Sequence, residues 1–330
     1  MSIIEEGVPK QVRMANLACI GSRKVNGVAE LHSELVRTTI MKDFVDFYGV
    51  SKFANVTNGS RSCHIPQNAG SINTLISKTL GIDKTVWLKN LTKLEGLLAY
   101  TEDKKFRDEW AAIKQRNKDR LAHHVQTTLG LTVNTHAMFD VQIKRLKASP
   151  RVQTLPHSQG HDPRGEKKTN PRVVFFAGKA APAYNSSHSQ RCAVARVIND
   201  DPDTKNYLSL YFLPDYSVSL AEVLIPASDI SQHISTGGTE ASGTSNMKFC
   251  LNGGLLLDGA NIEITEEVGE SNDYISALNM VDDAYYLDKD EWVKKSIRTT
   301  AKMGKFSSDR AIMDYTQEYW NIEQTPVPSS

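Results

Sequence analysis

One stretch constrains this chain more than any other: Ile234-Ser-Thr-Gly-Gly-Thr-Glu-Ala-Ser-Gly-Thr-Ser-Asn-Met-Lys-Phe249, a glycine and hydroxyl run that passes directly into a helix-compatible segment. Gly237, Gly238 and Gly243 stand among six hydroxyl residues, and glycine lacks the Cβ that would hold a ligand away from the backbone. Backbone N–H groups and hydroxyls arranged in this way can converge on an anion at a helix N-terminus. Lys248 follows, between apolar neighbours. Such a lysine either holds phosphate as a point charge or loses its proton in an apolar pocket and forms a Schiff base with an aldehyde cofactor. The spacing Gly-x4-Gly-Lys-Ser/Thr is absent, because Lys248 follows Met247 and precedes Phe249, so the second use fits the flanks better. Composition alone leaves open a surface loop followed by a solvated helix lysine.

With 330 residues, 40% of them hydrophobic, the chain can bury a sizeable core as one large or two medium domains. A net charge of +1 supplies no basic surplus for neutralising a nucleic-acid backbone. No apolar run reaches the ~18 residues that a membrane span needs. Met1-Ser-Ile-Ile-Glu-Glu lacks the basic and apolar regions of a signal peptide, so a cytoplasmic location is expected. Cys19, Cys63, Cys192 and Cys250 are scattered and form no Cys-x2-Cys pair, which argues against a zinc site or a disulfide framework. His157 and His161 have ligand spacing but no third partner in view, so no metal is expected.

Val12–Ile20 reads as a buried strand, and a helix follows from about Asn26 with Val28, Leu31, Leu35, Ile40, Phe44 and Phe47 recurring at helical steps. His32, beside that face, reads as a core histidine. Helical patterns recur over 72–80, over 103–125 with Phe106, Trp110, Ile113 and Leu121 on one side, over 292–297 and over 307–320. Met138–Arg145 and Arg172–Gly178 read as strands. In open α/β sheets ligands gather at strand C-termini, so Lys144 and Arg145 stand where a phosphate ligand is expected; a solvated basic strand end is the alternative. Residues 148–170 carry Pro, Gly, Ser, His and charge without apolar periodicity, and 185–192 are dense in Ser and Asn. Both are expected to be irregular or disordered.

Phe212-Leu-Pro-Asp-Tyr-Ser-Val-Ser-Leu-Ala-Glu222, the whole of Ile234–Leu251, Asp258-Gly-Ala-Asn-Ile-Glu-Ile264, Val25-Asn-Gly-Val-Ala-Glu-Leu-His-Ser-Glu34 and Gly304-Lys-Phe-Ser-Ser-Asp-Arg310 closely resemble the C-terminal half of glycogen (α-1,4-glucan) phosphorylases. The resemblance implies one domain over 1–330, an α/β fold with a Rossmann-like parallel sheet and flanking helices. This is the C-terminal domain type of a GT-B glycosyltransferase, with the family's N-terminal half absent. It implies phosphate-dependent release of glucose 1-phosphate from α-1,4-glucan with pyridoxal 5'-phosphate as cofactor, and a homodimer. On the same basis Lys248 carries the cofactor, with Gly243, Thr244, Ser245 and Lys144 at its phosphate and Tyr216 lining its pocket. Arg145 grips the substrate phosphate, and Asn58, Glu240, Ala241, Ser242 and Gly243 bind glucosyl hydroxyls.

The resemblance is interrupted. After Gly59 the chain lacks the family's tryptophan and at least one arginine, and a second phosphate-binding lysine falls by position on Pro150. A block before Tyr285 is missing, and Ser245 replaces a glycine common in the family. Two further readings therefore stand beside the phosphorylase: a non-catalytic cofactor-binding fragment or partner module, and, last, an aminotransferase-like pyridoxal phosphate enzyme. The last lacks the carboxylate and arginine that such an enzyme needs at recognisable spacing.

Overall fold

The computed structural model describes residues 1–60, 71–143, 160–161, 167–168, 170–178, 185–202, 204, 206–233, 242–258, 272–323 and 325. They fall into two compact units, a smaller one of 1–61, 238–244 and 305–330, and a larger one of 62–237 and 245–304.

In the larger unit the long helix α1 (Lys104–Leu129) starts where the Asp103 carboxylate accepts from the N–H groups of Lys105 (2.8 Å) and Phe106 (3.3 Å), and ends at Gly130 with φ +70°. A side-chain cap at the first turn and a left-handed glycine beyond the last satisfy the backbone groups that a helix leaves unpaired. Its apolar side buries Phe106, Trp110, Ile113, Leu121 and Val125, as its periodicity predicts.

Five strands follow: β1 (Met138–Ile143), β2 (Arg172–Ala177), β3 (Leu208–Phe212), β4 (Ile230–His233) and β5 (Leu255–Asp258). They form one parallel sheet in the order β5-β4-β1-β2-β3. A parallel sheet buried on both faces calls for strands that are apolar on both sides, and β2, Arg-Val-Val-Phe-Phe-Ala, is buried throughout. On one face Phe139, Val141, Val173, Phe175 and Tyr211 pack against Leu121 and Val125 of α1 and against α2 (Val218–Ala227). On the other, Val174, Phe176 and Leu210 cover Ala195 of α3 (Asn185–Asp200), while Met138 and Ile230 cover Tyr285 of α4 (Asn272–Leu287) and Trp292 of α5 (Lys289–Ala301). This is the Rossmann-like, GT-B-type arrangement expected.

The smaller unit departs more from its sequence reading. Met14–Gly21 is a helix rather than a buried strand, with Cys19 alone buried in it. An apolar run without clear periodicity does not distinguish the two, and Met, Ala and Leu favour the helix. The segment read as helical from Asn26 opens as a strand, Val25–Gly27, parallel to Phe53–Asn55. The Asn26 side chain is spent on the Val56 backbone, donating to its carbonyl at 3.1 Å and accepting from its N–H at 2.7 Å. Helix begins only at Glu30 and runs through a π turn at Val36–Ile40 to Tyr48. His32 accepts from the Val28 N–H at 3.4 Å and is half-buried.

Residues 185–192 also differ, being the first half of α3. The apolar side of Ala193–Ile198 docks on β2 and β3, and helix propagation from that anchored half costs less than a new start. Within 148–170, Gly160–His161 and Lys167–Lys168 pair antiparallel; most of the rest lies outside the described residues.

Gly253 lies at φ +73°, and a Cβ there would meet Ser296 Oγ at 2.9 Å and Trp110 Cζ2 at 3.0 Å. Gly253→Ala is expected to destabilise the larger unit by about 2–4 kcal/mol, combining backbone strain with overpacking; urea unfolding followed by tryptophan fluorescence measures it.

Candidate functional site

The chain lays β1, β2 and β3 side by side in one direction, then returns to place β4 on the other flank of β1 and β5 beyond it. Strand order therefore reverses between β1 and β4. Ligands of open parallel sheets bind in the crevice outside the carboxyl ends of the strands at such a reversal. The two chain segments that leave this point are the ones the sequence marked. Lys144 and Arg145 follow directly on Ile143 of β1, and the glycine and hydroxyl run follows directly on His233 of β4. Lys144, Arg145, Pro150, Glu240 and Ala241 themselves lie outside the described residues.

Lys248 sits on α6 (Ser245–Leu251) between Met247 and Phe249, both buried, and is itself half-buried. The helix is pinned from several sides. Phe249 belongs to the main core and its ring lies 5.9 Å from that of His233 at the end of β4. Asn252 donates to the Lys248 carbonyl at 2.8 Å, and Thr300 of α5 to the Cys250 carbonyl at 2.7 Å. Burial pushes the Cys250 thiol up to about 12, which removes it as a nucleophile. Tyr216 lies in the turn after β3, half-buried against the main core, its phenol pushed above the ordinary range by burial.

Ser242, Gly243 and Thr244 belong to the smaller unit and Ser245 to the larger. Gly243 takes φ +71°, a left-handed conformation open to glycine at little cost, and Ser242 Oγ donates to its carbonyl at 3.0 Å. Asn58, also of the smaller unit, is half-buried, and the Arg310 guanidinium donates to its carbonyl at 3.3 Å and to that of Thr57 at 2.8 Å.

Sequence reasoning missed a set of buried charges in the larger unit. Lys118 Nζ lies 2.5 Å from Asp229 Oδ2 and donates to the Ala137 carbonyl and the Tyr285 hydroxyl, both at 2.8 Å. Lys114 donates to the carbonyls of Pro226 (2.8 Å), Ser228 (2.6 Å) and Asn252 (3.2 Å). Across the sheet, Arg172 donates to Asp140 at 2.8 Å and to Asp282 at 2.6 Å. The signal was present: 110, 114, 118, 121 and 125 share one helix face, so two lysines fall on the apolar side of α1, and Asp140 interrupts a buried strand. Ala137, Ser228 and Asp229 precede β1 and β4, so the lysine cluster braces the edge of the sheet opposite the candidate crevice. A cavity of ≈ 120 Å³ lined by Asn134, Pro171, Arg172, Asn206, Tyr207 and Ser209 opens at that same amino-terminal edge, well below the several hundred Å³ of an ordinary cofactor pocket.

Burial lowers Lys114 to about 8, against an upward pull from Asp229. Between about 8 and its ordinary 10.5 the unfolded chain binds more protons at this group than the folded one, so its contribution to stability rises with pH across that window. The difference in melting temperature between the protein and Lys114→Met is expected to widen in favour of the lysine from pH 8 to pH 10; calorimetry across that range checks it.

A family model of carbohydrate phosphorylases matches residues 1–282 and 272–322. The chain is 36% identical to the glycogen phosphorylase of Saccharomyces cerevisiae, over 98% of this chain and 47% of that protein. It is 38% identical to glycogen phosphorylase 2 of Dictyostelium discoideum, over 100% of this chain and 41% of that protein. To the cytosolic α-glucan phosphorylase 2 of Arabidopsis thaliana it is 35% identical, over 99% and 49%. The chain spans about half the length of the curated relatives it matches. The yeast alignment runs over 421 residues, more than the 330 of this chain, so the relative carries segments with no counterpart here. Among the described residues no helix is long and apolar enough to cross a membrane.

Proposed function

Because the chain belongs to the carbohydrate phosphorylase family and corresponds to its C-terminal half, we propose that it carries the cofactor and phosphate side of an α-1,4-glucan phosphorylase site. The reaction is the transfer of a terminal glucosyl unit from the glucan to inorganic phosphate, giving glucose 1-phosphate. One observation carries this reading. The reversal of strand order between β1 and β4 is flanked by a basic pair on one side and, on the other, by an anion-suited loop ending in a half-buried lysine.

The residues suit pyridoxal 5'-phosphate. Lys248 has apolar neighbours and a rigidly held backbone, and Gly243 has the φ at which a Cβ would be strained. Lys248 attaches the cofactor, while Lys144, Gly243, Thr244 and Ser245 take its phosphate and Tyr216 lines its pocket. When bound, the cofactor supplies a phosphate that can exchange a proton with the substrate phosphate. Arg145 holds the substrate phosphate, a role that a guanidinium suits because it is always charged and carries several donors. Asn58, Glu240, Ala241, Ser242 and Gly243 orient the glucosyl unit through its hydroxyls. Opposing cations and N–H donors stabilise an oxocarbenium-like transition state by fixing negative charge beside it.

A second reading, a cofactor-binding fragment without turnover, draws on the chain's coverage of only 41–49% of the three relatives. Incubating the chain with a maltooligosaccharide, inorganic phosphate and pyridoxal phosphate, and measuring glucose 1-phosphate, separates the two. Turnover that depends on the cofactor and disappears in Lys248→Ala is the expected result. Cofactor uptake without any product supports the second reading, and product formation untouched by Lys248→Ala would exclude the assigned role of the lysine.

A further inference from the structure

The sheet changes its means of cohesion at the strand reversal. β1 and β2 pair along their whole length, from Met138 with Arg172 to Ile143 with Ala177. β4 and β1 pair only at Ile230 with Asp140 and Ser231 with Val141. Where that backbone ladder stops, side chains take over: Gln142 of β1 donates through Nε2 to Oε1 of Gln232 of β4 at 2.8 Å.

The bridge is the end of a longer stripe. Gln232 Nε2 donates to Asp140 Oδ2, the oxygen that also accepts from Arg172, whose other terminal nitrogen is held by Asp282. Asp140, Arg172, Gln232 and Asp282 are 0%, 3%, 2% and 6% exposed. The carboxylate settles which way the Gln232 amide faces, because only the NH2 end can donate to it. That leaves Oε1 as the acceptor for Gln142. A stripe of apolar side chains would hold these strands at least as cheaply, since buried ionic groups rarely gain stability over hydrophobic ones. What the polar stripe adds is a defined spacing and register.

We propose that Gln142 and Gln232 are positioning residues that hold the carboxyl ends of β1 and β4 at fixed spacing at the strand reversal, and thereby hold the segments leaving those ends. The consequence for the cofactor rests on the function proposed above, whereas the effect on the strand ends does not.

Gln142→Leu, Gln232→Leu and the double variant test this in the full chain. Amide hydrogen exchange without cofactor is expected to quicken about five- to tenfold over 228–233 and 140–143 in Gln142→Leu, which loses the bridge alone, and by at least as much in Gln232→Leu, which also loses its bond to Asp140, with the double variant going no further than Gln232→Leu. Exchange over β2 and β3 stays unchanged. Pyridoxal phosphate affinity, from titration with borohydride fixation on Lys248, falls by a similar factor. Unchanged exchange, two additive effects, or faster exchange with undiminished cofactor affinity would each overturn the proposal. If the parent chain fixes no cofactor on Lys248, the cofactor reading fails while exchange still decides the bridge. Should the more buried Gln232→Leu fail to fold, Gln142→Leu carries the test.

Discussion

Arg172→Met is expected to destabilise the larger unit by about 3–5 kcal/mol, because removing one partner of a buried ionic cluster leaves uncompensated charge behind. Here two carboxylates are stranded. Asp140 and Asp282 both face Arg172, at 2.8 and 2.6 Å. Burial raises both carboxyls above the ordinary range, and Arg172 opposes that rise in each. Without the arginine the rise is larger. A carboxyl with a raised folded pKa contributes stability below its unfolded pKa and loses it as pH climbs through the folded one. The deficit of Arg172→Met is therefore greatest at neutral pH and narrows as pH falls toward the ordinary Asp range of ~4, because the stranded carboxyls take up protons in the folded variant before they do in the unfolded chain. Urea unfolding of the two proteins at neutral and acidic pH measures this. A deficit independent of pH would mean that the loss is one of packing and not of charge.

Lys118→Met is expected to cost about 3–5 kcal/mol for the same reason on the other side of the pair. Asp229 keeps its bond from the Phe139 N–H at 2.8 Å but loses its ammonium, and the Ala137 carbonyl loses its side-chain donor. The lysine also stands 4.8 Å from the Phe139 ring centre and 5.3 Å from that of Tyr285, contacts that add cation–π attraction in a dry setting. The double variant Lys118→Met/Asp229→Leu should recover much of the loss, since replacing both partners removes the stranded charge. Equal stability of the single and double variants would show that the charge pair carries nothing.

β1 and β2 were legible because their runs are largely apolar, and the long helix because Asp103 and Gly130 bracket a 3.6-residue pattern; β3, β4 and β5 went unread, β4 because Ile-Ser-Gln-His is mostly polar. Residues 14–21 misled for the opposite reason: their apolar side chains are mostly exposed, so hydrophobicity there did not report burial. Asn26 misled because its side chain bonds a distant backbone, which no local pattern reveals. On the candidate site, motif reading singled out the loop and Lys248, and the topology added what a motif cannot, that the loop and the basic pair follow on adjacent strands. The buried cluster went unread although Lys114, Lys118 and Asp140 occupy apolar positions in their patterns. Their partners, Asp229, Arg172 and the three carbonyls that Lys114 meets, lie on other elements, 32 or more residues away in sequence.

The central claim, that the strand reversal with Lys248 behind it is a pyridoxal phosphate site, is tested most directly by fixing the cofactor with borohydride and mapping the modified lysine by peptide mass spectrometry. The account predicts one modified residue, Lys248, formed at substoichiometric cofactor and suppressed by competing inorganic phosphate. Modification spread over surface lysines, with Lys248 not preferred, would contradict it.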